Sequence, residues 1–163
     1  MGKKWNIDNI DDQTGQTVLI TGGSSGLGLE TVRVLAKKNA CIVIAVRDAQ
    51  KAKTAVQLIR EESPDTDVSS MTLDLADLSS VRAFARSFLS AFDRLDLLIN
   101  NAGIMVPPYG KTHDGFELQM GTNHLGHFAL TGLLFQLLEK TPKSRIVNVS
   151  SMAHKAGNIN FED

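Results

Sequence analysis

Val18-Leu19-Ile20-Thr21-Gly22-Gly23-Ser24-Ser25-Gly26-Leu27-Gly28 is an apolar run, then a glycine-rich turn, then the opening of an amphipathic segment. Such a turn lets backbone N–H groups and a helix N-terminus face a phosphate. The spacing Gly22-x3-Gly26-x-Gly28 differs from the commoner Gly-x-Gly-x-x-Gly. Its context gives it weight: it follows a strand, opens a helix and lies in a β-α-β unit. On this reading Gly22 supplies the tight turn, Gly26 lets backbone approach a pyrophosphate, and Gly28 lets helix and strand pack closely. Ser24 and Ser25 add hydroxyl donors, and Thr21 and Leu27 flank the turn as further cofactor contacts. The plain alternative is an ordinary glycine-rich strand–helix turn.

Outward from this turn, apolar runs alternate with helical patterns. Thr17–Thr21, Cys41–Val46, Val68–Leu73, Leu95–Ile99 and Arg145–Val149 are expected as strands, and Leu27–Lys38, Ala49–Glu62, Leu78–Phe92 and Phe116–Lys140 as helices. Strand–helix–strand repetition implies parallel strands joined by right-handed crossovers, an α/β fold. In the third helix Leu78, Val81, Phe84, Ala85, Phe88, Leu89 and Phe92 form one stripe, with Asp77 as N-cap. The fourth helix is apolar nearly all round, through Leu125, Phe128, Ala129, Leu130, Leu133, Leu134, Phe135, Leu137 and Leu138. It is expected to be buried on both sides, one against the sheet and one against a further element or a second copy of the chain.

The end of the second strand selects the dinucleotide. An acidic residue there would hold the ribose 2′-hydroxyl of NAD. The strand ends instead in Arg47, followed by Asp48. A guanidinium suits a 2′-phosphate, so NADP(H) is preferred over NAD(H). Asp48 would oppose this if it pointed inward, and would be neutral as the N-cap of the helix from Ala49.

Bulk properties exclude several classes. The 163 residues suit one domain, divided here into an N-terminal extension over 1–14 and a dinucleotide-binding domain over 15–163. The net charge of −1 gives no electrostatic case for nucleic acid or an anionic membrane. No stretch approaches the ~20 apolar residues of a membrane span. Cys41 is the only cysteine. It is expected as a core thiol and fits a reducing, cytoplasmic setting. Met1-Gly2 lacks the Ser or Thr at position 6 that myristoylation needs, and Met1 to Asp12 has no apolar signal core. His124 and His127, three apart, share a helix face but are too few for a metal site. Ser151 and His154 lack a nucleophile elbow, so hydrolase chemistry is rejected. Lys37-Lys38 is read as a solvated helix end.

Further motifs follow in order: Asp74 within Leu73-Asp74-Leu75, Asn100-Asn101-Ala102-Gly103, Thr112-x-Asp114-Gly115-Phe116-Glu117, Asn123-His124-Leu125-Gly126-His127-Phe128, and Asn148-Val149-Ser150-Ser151. With the glycine turn they resemble the short-chain dehydrogenase/reductase family, in the branch of retinol dehydrogenases and related NADP-dependent oxidoreductases. The resemblance runs from Gly15 onward, and Trp5 to Asp12 resembles bacterial members. It implies a Rossmann-type, doubly wound parallel sheet of about five strands in the order 3-2-1-4-5, with helices on both faces. It also implies Asp74 and Leu75 at the adenine, and Asn101, Ala102 and Gly103 as cofactor wall. Asn123 would be the catalytic asparagine holding a proton-relay water. Ser151, rather than Ser150, would bond the substrate oxygen of a small-molecule carbonyl or alcohol.

The family's proton donor is a tyrosine four residues before a lysine, downstream of the catalytic serine. This sequence ends at Asp163, its one tyrosine is Tyr109, and His113 stands four residues on. Tyr109 is read as a loop aromatic. The expectation is that the C-terminal part of the fold is missing, leaving Ile146 and Val147 at an ill-covered sheet edge. The chain would then be the cofactor-binding portion of an oxidoreductase, inactive alone. The alternative is a non-enzymatic dinucleotide-binding or assembly module. A homo-oligomer through residues 122–139 is expected from the apolar helix.

Overall fold

The computed structural model describes residues 6–157. The readings placed on Met1-Gly2 and Trp5 lie outside the described residues. Five parallel strands form one sheet: β1 (Thr17–Thr21), β2 (Cys41–Val46), β3 (Val68–Thr72), β4 (Leu97–Asn100) and β5 (Arg145–Asn148), in the order β3-β2-β1-β4-β5. Between them run α1 (Gly26–Ala36), α2 (Ala49–Glu62), α3 (Leu78–Ala91), the short α4 (Leu118–Met120) and α5 (Gly126–Lys140). This is the doubly wound α/β sheet and the strand order that the sequence implied.

Each strand alternates between the two faces. Leu19, Val43 and Leu98 point into a cluster with Val81, Phe84, Phe88, Leu130 and Leu134 of α3 and α5. Val18, Ile20, Ile42 and Ile44 point into a second cluster with Val32 of α1 and Ile59 of α2. Phe84, Phe88 and Phe92 stack in sequence, with ring centroids 6.1 and 4.7 Å apart. Asp77 caps α3 by accepting from Ser79 N–H at 2.7 Å. Asp114, from a distant loop, accepts from Leu78 N–H at 2.9 Å, a second cap for α3.

Several details differ from expectation. The fourth helix is not one α-helix over Phe116–Lys140: α4 and α5 are separated by a π turn over Gly121–Leu125. Gly126 must lie against the Leu75 carbonyl, which a Cβ there would approach to 2.4 Å. The rest of this helix is buried on one face only. Leu130, Leu134, Leu137 and Leu138 are inside, while Phe128, Leu133 and Phe135 are exposed. Leu89 leaves the α3 stripe and faces outward. Cys41 is half-buried rather than a core thiol. Burial, reinforced by neighbouring Asp67, pushes its thiol up to about 11, so it stays protonated and unreactive near neutral pH. Ile146 and Val147 are exposed on the edge strand, as expected.

Candidate functional site

The order of strands reverses direction between β1 and β4. From β1 the chain crosses to α1 on one face, and α5 covers the other. Ligands of open parallel sheets bind outside the carboxyl ends of the strands at such a point. A cleft of about 840 Å³ opens there, and its lining includes Leu27, Asn101, Ala102, Gly103, Asn123, Ser150 and Ser151. Of the residues singled out in the sequence, Thr21, Gly22, Ser24, Ser25, Gly26 and Gly28 lie beside it in the β1–α1 turn. Arg47, Asp74 and Leu75 follow β2 and β3 at the same edge of the sheet.

The glycines of the turn do different work. Gly22 has φ +70° and Gly26 φ +54°, a region costly for other residues. A Cβ on Gly22 would stand 2.9 Å from Ala102 Cα, and one on Gly28 2.3 Å from the Gly22 carbonyl oxygen. These two glycines therefore permit chain-on-chain packing. A Cβ on Gly26 would meet nothing within 4 Å, so its surface is open, as a close ligand approach requires. Ser25 stands at the N-cap of α1 with no side-chain capping bond, which leaves first-turn N–H groups to an outside partner.

Thr21 is the hub of the wall opposite, a role its sequence did not signal. Its Oγ1 accepts from the N–H groups of Asn101 and Ala102, each at 3.0 Å. Asn101 Nδ2 returns two bonds, to the Thr21 carbonyl at 2.8 Å and the Gly22 carbonyl at 3.3 Å. Deeper in the cleft, Asn100 Nδ2 donates to Thr131 Oγ1 at 3.1 Å and to Asn148 Oδ1 at 2.8 Å. The other side of the same amide, Asn100 Oδ1, is buried without a partner among the described residues. That is a polar demand in a cleft-lining residue.

Asn123 lies in the π turn, a distortion often found at functional sites. Its amide clamps Ile104: Oδ1 accepts from Ile104 N–H at 2.9 Å, and Nδ2 donates to the Ile104 carbonyl at 2.8 Å. This explains how a poor helix former is held mid-helix. Asp74 Oδ1 accepts from Ala76 N–H at 2.9 Å, and Ser80 Oγ accepts from Asp74 N–H at 3.0 Å. Asp48 is the N-cap of α2, accepting from Gln50 and Lys51 N–H at 2.9 and 3.1 Å. Those backbone bonds hold its carboxyl below the usual range. Arg47 is exposed and has no ion-pair partner among the described residues. Ser150 and Ser151 follow β5 and line the cleft. Tyr109 is 83% exposed in the loop before α4 and does not line it. His124 and His127 both line the cleft but differ in burial. His124 is exposed and stacks on Phe128 at 6.3 Å, while His127 is turned inward and buried.

The chain matches the short chain dehydrogenase family over residues 16–162. It is 48% identical to retinol dehydrogenase 12 of Mus musculus over 149 residues, which is 91% of this chain and 47% of that protein. It is 50% identical to retinol dehydrogenase 14 of Mus musculus over 159 residues, 91% of this chain and 48% of that protein. The chain thus spans about half the length of the relatives it matches. Among solved structures, an uncharacterized protein from Mycobacterium paratuberculosis superposes with a TM-score of 0.83 at 47% identity, covering 99% of this chain and 55% of that one. A metagenomic short-chain oxidoreductase in complex with NADP superposes with a TM-score of 0.76 at 25% identity, covering 88% and 64%.

Proposed function

Because the chain belongs to the short chain dehydrogenase family, we propose that it forms the NADP(H)-binding portion of an oxidoreductase interconverting a carbonyl and an alcohol. The observation that carries the reading is the β1–α1 turn at the sheet's switch point, open at Gly26 and packed without side chains at Gly22 and Gly28. These residues fit a dinucleotide. Thr21, Gly22, Ser24, Ser25, Gly26, Leu27 and Gly28 would hold the pyrophosphate, Asp74 and Leu75 the adenine, and Asn101, Ala102 and Gly103 the wall. NADP(H), when bound, supplies or accepts the hydride.

The choice of NADP(H) rests on Arg47 and Asp48. Asp48 is engaged at the start of α2, so the guanidinium of Arg47 is left to meet a 2′-phosphate. A relative with this fold is solved with NADP, which supports the same choice. A hydrogen bond to a charged group contributes about 1.5–3 kcal/mol, or roughly 10- to 150-fold in affinity. Fluorescence titration should therefore show NADPH bound more tightly than NADH. Arg47→Ala should remove most of that difference while leaving NADH affinity nearly unchanged. Equal affinities in the unaltered chain would sink the NADP(H) assignment.

Asn123 and Ser151 are the residues of this chain proposed to serve catalysis. Asn123 would hold a proton-relay water and Ser151 would bond the substrate oxygen. Hydride transfer also needs a proton donor beside the reacting oxygen. Tyr109, exposed and followed four residues on by His113, does not suit that role. The donor is proposed to lie in the part of the relatives that this chain does not span, so these 163 residues alone should bind cofactor without turnover. Reduction of retinal or a simple ketone by the isolated chain with NADPH would disprove this. The exposed apolar face of α5 is further proposed to pair two copies of the chain.

A further inference from the structure

His127 is 6% exposed, stands one turn after Asn123 and joins the helix to the end of β1. Its Nδ1 lies 2.8 Å from the Asn123 carbonyl oxygen. A carbonyl only accepts, so Nδ1 carries the proton. In the neutral ring Nε2 is then an acceptor, and Thr21 Oγ1, 2.8 Å away, must donate to it. This uses the single hydroxyl proton of Thr21. Its two lone pairs remain for the N–H groups of Asn101 and Ala102. All the partners are satisfied in one protonation state only. A second ring proton would meet a Thr21 oxygen whose lone pairs are taken. Relief would require turning the hydroxyl to the Ile99 carbonyl, 3.4 Å away, and giving up one of the two wall amide bonds.

We propose that His127 is a positioning residue whose neutral, Nδ1-protonated ring locks the π turn carrying Asn123 to the Thr21–Asn101–Ala102 wall, so that tight dinucleotide binding requires the uncharged ring. The proposal rests on the dinucleotide reading of the cleft. Burial holds the imidazole below the ordinary histidine range; the Asn123 carbonyl opposes this and His124 adds to it. The strands packed at this point, β1 and β4, carry no titratable side chain. On β5 the only one is Arg145, at the amino end away from the cleft. The turn packed on Gly126 brings Asp74, whose carboxylate is engaged by Ala76 N–H.

Two measurements test it. Long-range ¹⁵N–¹H NMR, with the His127 signal identified by its loss in His127→Asn, should show a protonated Nδ1 and a pyridine-type Nε2. The ring should stay neutral at pH 6.5, the ordinary midpoint. A protonated Nε2 in the neutral ring, or a ring half charged at that pH, overturns the relay. NADPH titrations across acid pH form the second arm. The unaltered chain should lose at least fivefold more affinity on acidification than His127→Asn, which keeps an N–H donor and cannot be charged. The titration of the cofactor's own phosphate cancels in this comparison. Thr21→Val, which removes the acceptor-satisfying hydroxyl, should also flatten the profile and serves if His127→Asn fails to fold. Identical profiles in the unaltered chain and the folded variants overturn the proposal. If the unaltered chain binds no NADPH at any pH, the dinucleotide reading and the binding part of this proposal fail together, and the NMR result alone decides the relay.

Discussion

Gly28 is held between the Gly22 carbonyl oxygen and Asn101 Nδ2, 2.3 and 2.6 Å from where a Cβ would stand. Neither neighbour is a flexible side-chain end free to move, since Asn101 Nδ2 is bonded to Thr21 and Gly22. Gly28→Ala should therefore cost about 1–3 kcal/mol of stability, as overpacking does, and weaken NADPH binding. Urea melts and a titration on the same sample check both. At the other end of the sheet Asp96 is buried beneath a two-pronged bond from Arg94, at 2.7 and 2.8 Å, and accepts from Thr17 N–H at 2.8 Å. Burial pushes this carboxyl up, but Arg94 and Thr17 outweigh it and hold it below its usual 3.8. A carboxyl lowered on folding stabilises above its unfolded value and loses that contribution as pH falls through the folded value. Asp96→Asn should cost about 2 kcal/mol at neutral pH and flatten the loss of stability below about pH 4. An acid limb identical to that of the unaltered chain would contradict this. The glycines were legible because their spacing is local. Asp96 was not legible, because its partner Thr17 stands 79 positions away.

At the scale of elements, α5 shows what periodicity can and cannot tell. Its apolar residues surround the helix, yet only Leu130, Leu134, Leu137 and Leu138 are buried in the core, with Ala129 packed against it. Leu134→Ala should cost about 2–5 kcal/mol, the range for a buried leucine, whereas Phe135→Ala, on the exposed face, should stay within about 0.5 kcal/mol for a monomer. Chemical denaturation of the two variants at low protein concentration separates them. The π turn before α5 was not legible, because hydrophobic pattern does not register one added residue in a helix. Its two ends meet chain from outside the helix: Gly126 against Leu75, and Gly121 against Thr112, where a Cβ would come within 2.3 Å of Thr112 Cγ2. The Asp77 and Asp48 caps were legible from their place before helical runs. The Asp114 cap was not, since it arrives from a loop 36 positions away.

For the whole molecule, the five-stranded sheet leaves β5 at an edge with Ile146 and Val147 exposed, and Phe128, Leu133 and Phe135 exposed on α5. Apolar surface of this extent on a small domain favours association. Sedimentation should show a concentration-dependent shift toward a dimer, and Phe135→Glu should weaken it; a monomer at all concentrations would contradict this. Among the described residues no helix is long and apolar enough to cross a membrane. The sequence by itself determined the strands, their parallel α/β arrangement, the strand order through its resemblance, and the glycine turn. Each of these is written in local period or in motif spacing, which short-range sterics and burial translate directly. Only the tertiary structure decided that Thr21 is the hub of the cleft wall, that Asn123 is clamped to Ile104, and that His127 is buried in one tautomer. Those facts depend on hydrogen bonds between residues far apart in the chain, and the partner of such a bond is fixed only when the sheet brings the strand ends together.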